Sequence, residues 1–171
     1  MREGPPLAGM NRRFLRIYMN DQLAAGVAWR EVARRARDNN EGTKLGEVLA
    51  HVADAIAEDV ATFERIMEDL GLRRSTIKPR LAVVGERVGR LKGNGRLFSY
   101  SPLSRFVELD FLALGIEGKK VLWGTLRDLA GLSARLPDLD FDQLVARAHE
   151  QRAAIEPFRA EAGRQALGPC R

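Results

Sequence analysis

The chain has 171 residues, 45% of them hydrophobic and 30% charged, with a net charge of +5 and one cysteine. That length suffices for one buried core, and that composition excludes a disordered or membrane-embedded chain. The lone thiol, Cys170, excludes an internal disulfide, and no run approaches the roughly 18 apolar residues of a membrane span.

The first ten residues hold Pro5-Pro6 and no apolar stretch of the secretory kind, so a flexible N-terminus and a cytoplasmic protein are expected. The first helix is predicted over Arg12–Asp38, capped by Asn11 and ended by Asn39-Asn40. Phe14, Leu15, Tyr18, Ala25, Trp29, Val32, Ala33 and Ala36 fall on one face at about 100° per residue. The second helix is predicted over Lys44–Leu70, with Thr43 as cap and Gly71 at its end. Its stripe runs from Leu45 through Leu49, Val52, Ile56 and Phe63 to Met67. The short loop between the two makes them antiparallel neighbours.

A basic stretch follows. From Arg73 to Arg96 there are eight cations and one acid, Glu86, so this segment carries +7 and the rest of the chain is slightly negative. It holds a predicted short helix, Thr76–Lys92, with Ile77, Leu81, Val84 and Val88 as its apolar face. The Ser101-Pro102 pair opens a long helix predicted to reach Ala130. That helix is apolar nearly all the way round, which points to burial on two sides and to a homo-oligomer formed through residues 102–130. Asp140 and Gln143 form a capping-box pattern for a last helix over Phe141–Leu167, with Pro157 inside it. The expected organisation is a flexible 1–10, one helical domain over 11–167, and a tail at 168–171.

The fold class expected is all-α: a four-helix bundle with one long crossover that contains a fifth, shorter helix. Two antiparallel hairpins joined by such a connector resemble the ferritin-like superfamily in architecture. The resemblance implies a two-metal site built from glutamates and Glu-x-x-His pairs between the helices. This chain has no Glu-x-x-His at all.

It does have acids inside the apolar stripes. Asp21, next to Gln22, lies between Tyr18 and Ala25; Asp59 lies between Ile56 and Phe63. Asp110 and Glu117 share the face of Leu103, Leu114 and Val121, and Gln151 shares the face of Leu144 and Ile155. Counting from the connecting loops puts Asp21 beside Asp59, and Glu117 near Gln151. Because a lone buried carboxylate is costly, two readings follow. Either Asp21, Asp59 and Glu117 form an oxygen-rich divalent-metal or small-molecule site, or they are neutralised by Arg152 or nearby hydroxyls or sit at a wet end of the bundle. A second candidate site is the basic stretch, where Arg73, Arg74, Arg80, Arg87, Arg90 and Arg96 suit nucleic-acid phosphates or an acidic protein. The alternative there is pairing with Glu64, Glu68 and Asp69. Glu47, His51, Asp54 and Glu58 read as a charged solvent face, and no nucleophile has a credible base, so no catalytic residue is assigned.

Overall fold

A computed structural model of the protein describes residues 11–75 and 100–169. These form four helices: α1 (Arg12–Asp38), α2 (Lys44–Asp69), α3 (Pro102–Gly124) and α4 (Phe141–Leu167). The expected short helix at 76–92, and the two chain ends, lie outside the described residues.

All four helix starts follow from local chemistry. The side chains of Asn11, Thr43, Ser101 and Asp140 each accept a hydrogen bond from the backbone N–H three residues on. Each thereby satisfies a donor that the helix itself leaves open. Beyond α2, Gly71 takes φ +60°, the left-handed turn that glycine adopts without a Cβ penalty. The end of α3 differs from expectation. The α-helix stops at Gly124 and continues as a π-helical turn over Thr125–Leu129, where the Ala130 N–H bonds to the Thr125 carbonyl at 3.0 Å. No sequence signal marks a switch from i→i+4 to i→i+5 bonding.

The helices pack in a ring: α1 against α2 and α3, and α4 against α3 and α2. Cross-links fix their directions. Arg35 near the end of α1 reaches Glu108 near the start of α3, while Asp59 late in α2 meets Arg147 early in α4. Both pairs are therefore antiparallel, and α2 and α3 run the same way. At the start of α1, Arg12 donates to the Gly71 carbonyl at 2.8 Å, so α2 ends beside the beginning of α1. Because α3 begins beside the end of α1, the end of α2 and the start of α3 lie at opposite ends of the bundle.

Two hydrophobic clusters fill the interior. One gathers Met19, Leu23, Phe63, Met67, Trp123, Leu126 and Leu144; the other gathers Ala33, Leu49, Ile56, Leu109, Ile116 and Ile155. Each fully buried Leu, Ile, Met or Phe removes enough apolar surface to stabilise the fold by about 1.5–3 kcal/mol. Asp59 and Gln151 are buried where the two clusters meet. None of the described helices is long and apolar enough to cross a membrane.

Candidate functional site: a buried ion pair beside a cavity

Asp59 is 3% exposed, and α2 carries it inward because it follows Val52 and Ile56 on the core stripe. Both of its oxygens are occupied. Oδ1 accepts from Nη2 of Arg147, and Oδ2 accepts from Nζ of Lys119. Gln151 completes the set: its Nε2 lies 3.4 Å from Asp59 Oδ2 and its Oε1 accepts from Lys119. Arg147 extends outward to Glu58 at 3.2 Å. Three helices thus contribute to one polar layer.

Lys119 is the unusual member, with a side chain only 14% exposed. Burial lowers its pKa, and Asp59 opposes that shift by attraction for the ammonium. Two further donors are left open: the Trp123 indole Nε1–H and the Arg147 Nε–H are buried with no hydrogen-bond partner among the described residues. Buried donors of this kind are rare in folded proteins and call for an explanation.

Directly beside the pair lies a cavity of about 90 Å³ between α1, α2 and α3. Its apolar wall includes Leu23, Trp29, Ile56, Phe63 and Trp123, and its polar wall is Gln22, Asp59 and Lys119. Gly115 and Gly118 line it from α3. Gly115 is required by packing: a Cβ there would come within 2.5 Å of the Trp29 ring. Trp29 lies over bare backbone at that point, tilted against Phe111 with ring centroids 6.1 Å apart.

The structure does not bring the three expected acids together. Asp21 is exposed, and its neighbour Gln22 is the residue that reaches the cavity wall. Glu117 has a side chain 43% exposed and pairs with Lys120. Asp110 pairs with Arg159 at 2.8 Å. The grouping of Asp110 and Glu117 with Leu114 and Val121 holds, but that face points outward: Leu114 is 61% and Val121 64% exposed. Among the described residues no group of three or more His, Cys, Asp or Glu is placed to hold a metal ion. Arg152, expected to neutralise the layer, pairs instead with Glu156.

Sequence reasoning missed Lys119, Arg147 and Glu108. All three were visible in helical phase: Glu108 and Lys119 share the stripe of Leu112, Ile116 and Trp123, and Arg147 that of Leu144 and Gln151. Of the basic stretch, Arg80, Arg87, Arg90 and Arg96 lie outside the described residues. Arg73 is exposed, and Arg74 is paired with Glu64 and Glu68, the alternative given above. Glu47, His51, Asp54 and Glu58 are all exposed along α2.

Compared with known proteins, the chain matches no family model, and no curated protein or solved structure matches it significantly.

Proposed function

We propose that this protein is a helical bundle of ferritin-like topology that binds a small molecule in the cavity between α1, α2 and α3. The topology rests on the parallel course of α2 and α3 and on the opposite bundle ends at which one stops and the other starts. The binding reading rests on a single observation, the cavity beside the buried Asp59–Lys119 pair. The pocket opens to solvent at Gly118 and runs inward to that pair. Such a constellation is what an orienting site for a small ligand needs: an apolar wall with a few convergent polar groups. Both Asp59 oxygens are already held by cations, so the layer offers little to a metal ion.

The protein has two tryptophans, Trp29 and Trp123, and both line the cavity. A fragment library screened by ¹H–¹⁵N spectroscopy should therefore move one or both indole cross-peaks. Gly118→Leu provides the control, because nothing lies within 4 Å of a Cβ at that position and the added side chain would fill the mouth. Fragments that move the indole peaks should fail to bind this variant. If no fragment moves them, or the variant binds equally well, the reading is wrong.

A second reading, self-association, is favoured by the outward Leu114 and Val121 of α3. Leu112 and Trp123, on the other side of α3, are 0% and 1% exposed and serve the core. A mass in light scattering above that of the monomer, lowered by Leu114→Lys/Val121→Lys, would support this reading. A strictly monomeric wild type at high concentration would end it.

A further inference from the structure

Resting on the cavity reading, we infer that the cavity takes a small apolar aldehyde and that Lys119 captures it reversibly as an imine. The argument joins the shape of the cavity to the one amine on its wall.

Among the described residues that line the cavity, Lys119 bears the only amine. Gly115, Gly118, Lys119 and Leu122 bring one side of α3 to the cavity, and the mouth lies at Gly118, the residue just before the lysine. Mouth and amine therefore share one turn of helix. The rest of the wall, with Leu23, Trp29, Ile56 and Phe63, receives an apolar body, and the volume limits that body to a handful of carbon atoms.

A solvated lysine is almost wholly protonated at neutral pH and is a poor nucleophile. Lys119 is not solvated, since its side chain is only 14% exposed. Burial disfavours the ammonium; Asp59 attracts it without cancelling the loss of hydration, and Arg147 repels it. These are the charged groups that face Lys119 from α2 and α4, while α1 presents the neutral Gln22. Each unit by which a lysine pKa falls gives about ten times more free amine at neutral pH. Desolvated lysines in apolar pockets are the ones that form imines with carbonyl compounds.

Asp59 completes the chemistry. Its Oδ2 accepts from Nζ, so it can take the first ammonium proton along an existing hydrogen bond. The free Nζ then attacks the carbonyl carbon, a C–N bond forms, and the carbonyl π electrons move to oxygen. A second proton passes from nitrogen to that oxygen. Asp59 returns the first proton to the resulting hydroxyl, the C–O bond breaks, and water leaves. The product is a protonated imine, still a cation, whose one remaining N–H stays with Asp59. The buried pair survives the reaction.

Wild-type protein is treated with isovaleraldehyde and sodium cyanoborohydride at neutral pH, and alkylated lysines are located by peptide mass spectrometry. The reagent delivers hydride to the imine carbon and fixes it as a secondary amine. Lys119 should be alkylated about tenfold or more faster than Lys44, exposed at the start of α2, and Lys120, which pairs with Glu117 outside the cavity. Gly118→Leu should remove that preference and leave the other lysines unchanged. Preference that persists in this variant would place the reaction outside the cavity and overturn the inference. Isoamyl alcohol, with the same skeleton and no carbonyl, separates the imine from the cavity reading beneath it. If the alcohol moves the indole cross-peaks while Lys119 is alkylated no faster than Lys120, the imine is refuted and the cavity stands. If neither occurs, both are overturned.

Discussion

Asp59 and Glu108 are both 3% exposed, yet the two carboxylates are buried in opposite ways. Glu108 sits near the start of α3, at the end of the bundle formed by the α1–α2 loop. Arg35 donates to it at 2.8 Å and Asn39 at 3.2 Å, and both partners reach solvent. Around it Asn40 bridges the Ala36 carbonyl, the Tyr100 hydroxyl and Arg105, whose guanidinium lies 5.4 Å from the centre of the Tyr100 ring. Glu108 thus belongs to a polar seam that ties loop to helix. Asp59 instead sits at mid-bundle, with one partner, Lys119, almost as buried as itself and a cavity alongside. Equal burial with unequal surroundings separates an acid that joins elements from an acid that furnishes a site.

The largest expected difference is in stability. Asp59→Ala strands Lys119 in the interior and should cost about 3–5 kcal/mol. Glu108→Ala leaves Arg35 and Asn39 free to turn to water, so its cost should be about 1–3 kcal/mol. Denaturant unfolding of both variants measures this; equal losses would mean that the two acids play the same part.

A sharper test replaces the whole mid-bundle pair. Asp59→Leu/Lys119→Met removes both charges in apolar groups of similar size. Such replacements of buried ion pairs are often neutral or stabilising by about 1–4 kcal/mol. We expect the double variant to recover most of the stability lost by Asp59→Ala. A double variant that is as unstable as the single one would make the pair a structural element.

Alkaline pH should pull the two regions apart. Burial raises the Tyr100 pKa above its ordinary 10.0, with Glu108 adding to the shift and Asn40 and Arg105 opposing it. The folded state then holds a proton that the unfolded state releases, so the Tyr100 contribution to stability is intact below pH 10 and is lost as pH rises beyond it. Lys119 has the opposite sign. Its folded pKa is depressed below 10.5, so its contribution is greatest above pH 10.5 and declines as pH falls through the depressed value. Comparing each of Tyr100→Phe and Lys119→Met with wild type from pH 7 to 11 should give slopes of opposite sign.

The smallest effects concern the two cavity-lining glycines. Gly115→Ala should destabilise by about 1–3 kcal/mol, because its methyl group collides with the Trp29 ring. Gly118→Ala meets nothing within 4 Å and should stabilise by about 0.5–1 kcal/mol through helix propensity. Thermal melts of the two variants check both signs.

How much of this could be read from the sequence divides along the same line. The helices were legible because each begins at a short polar cap and carries an apolar stripe, and α1 and α4 have the expected limits. Asp59 and Gln151 were legible as polar residues inside a stripe. The failure came on α3, where two faces are apolar and periodicity alone does not tell which one faces inward. Choosing the face of Leu114 and Val121 made Glu117 a core residue and hid Lys119, two positions away and so on the opposite side of the helix. Neither the cavity nor the π-helical turn has a signature in composition, because each depends on how neighbouring helices pack.

The seat of Trp29 on Gly115 has a kinetic consequence. Where two helices seal a cavity with interlocked side chains, a guest waits for the backbone to part, typically in microseconds to milliseconds. Here one wall is a half-buried ring lying against a residue with no side chain, and a ring can swing on far shorter timescales. Guests should therefore exchange quickly, with averaged rather than split resonances in a titration. Gly115→Ala, by unseating the ring, should shorten the residence time more than it changes the association rate.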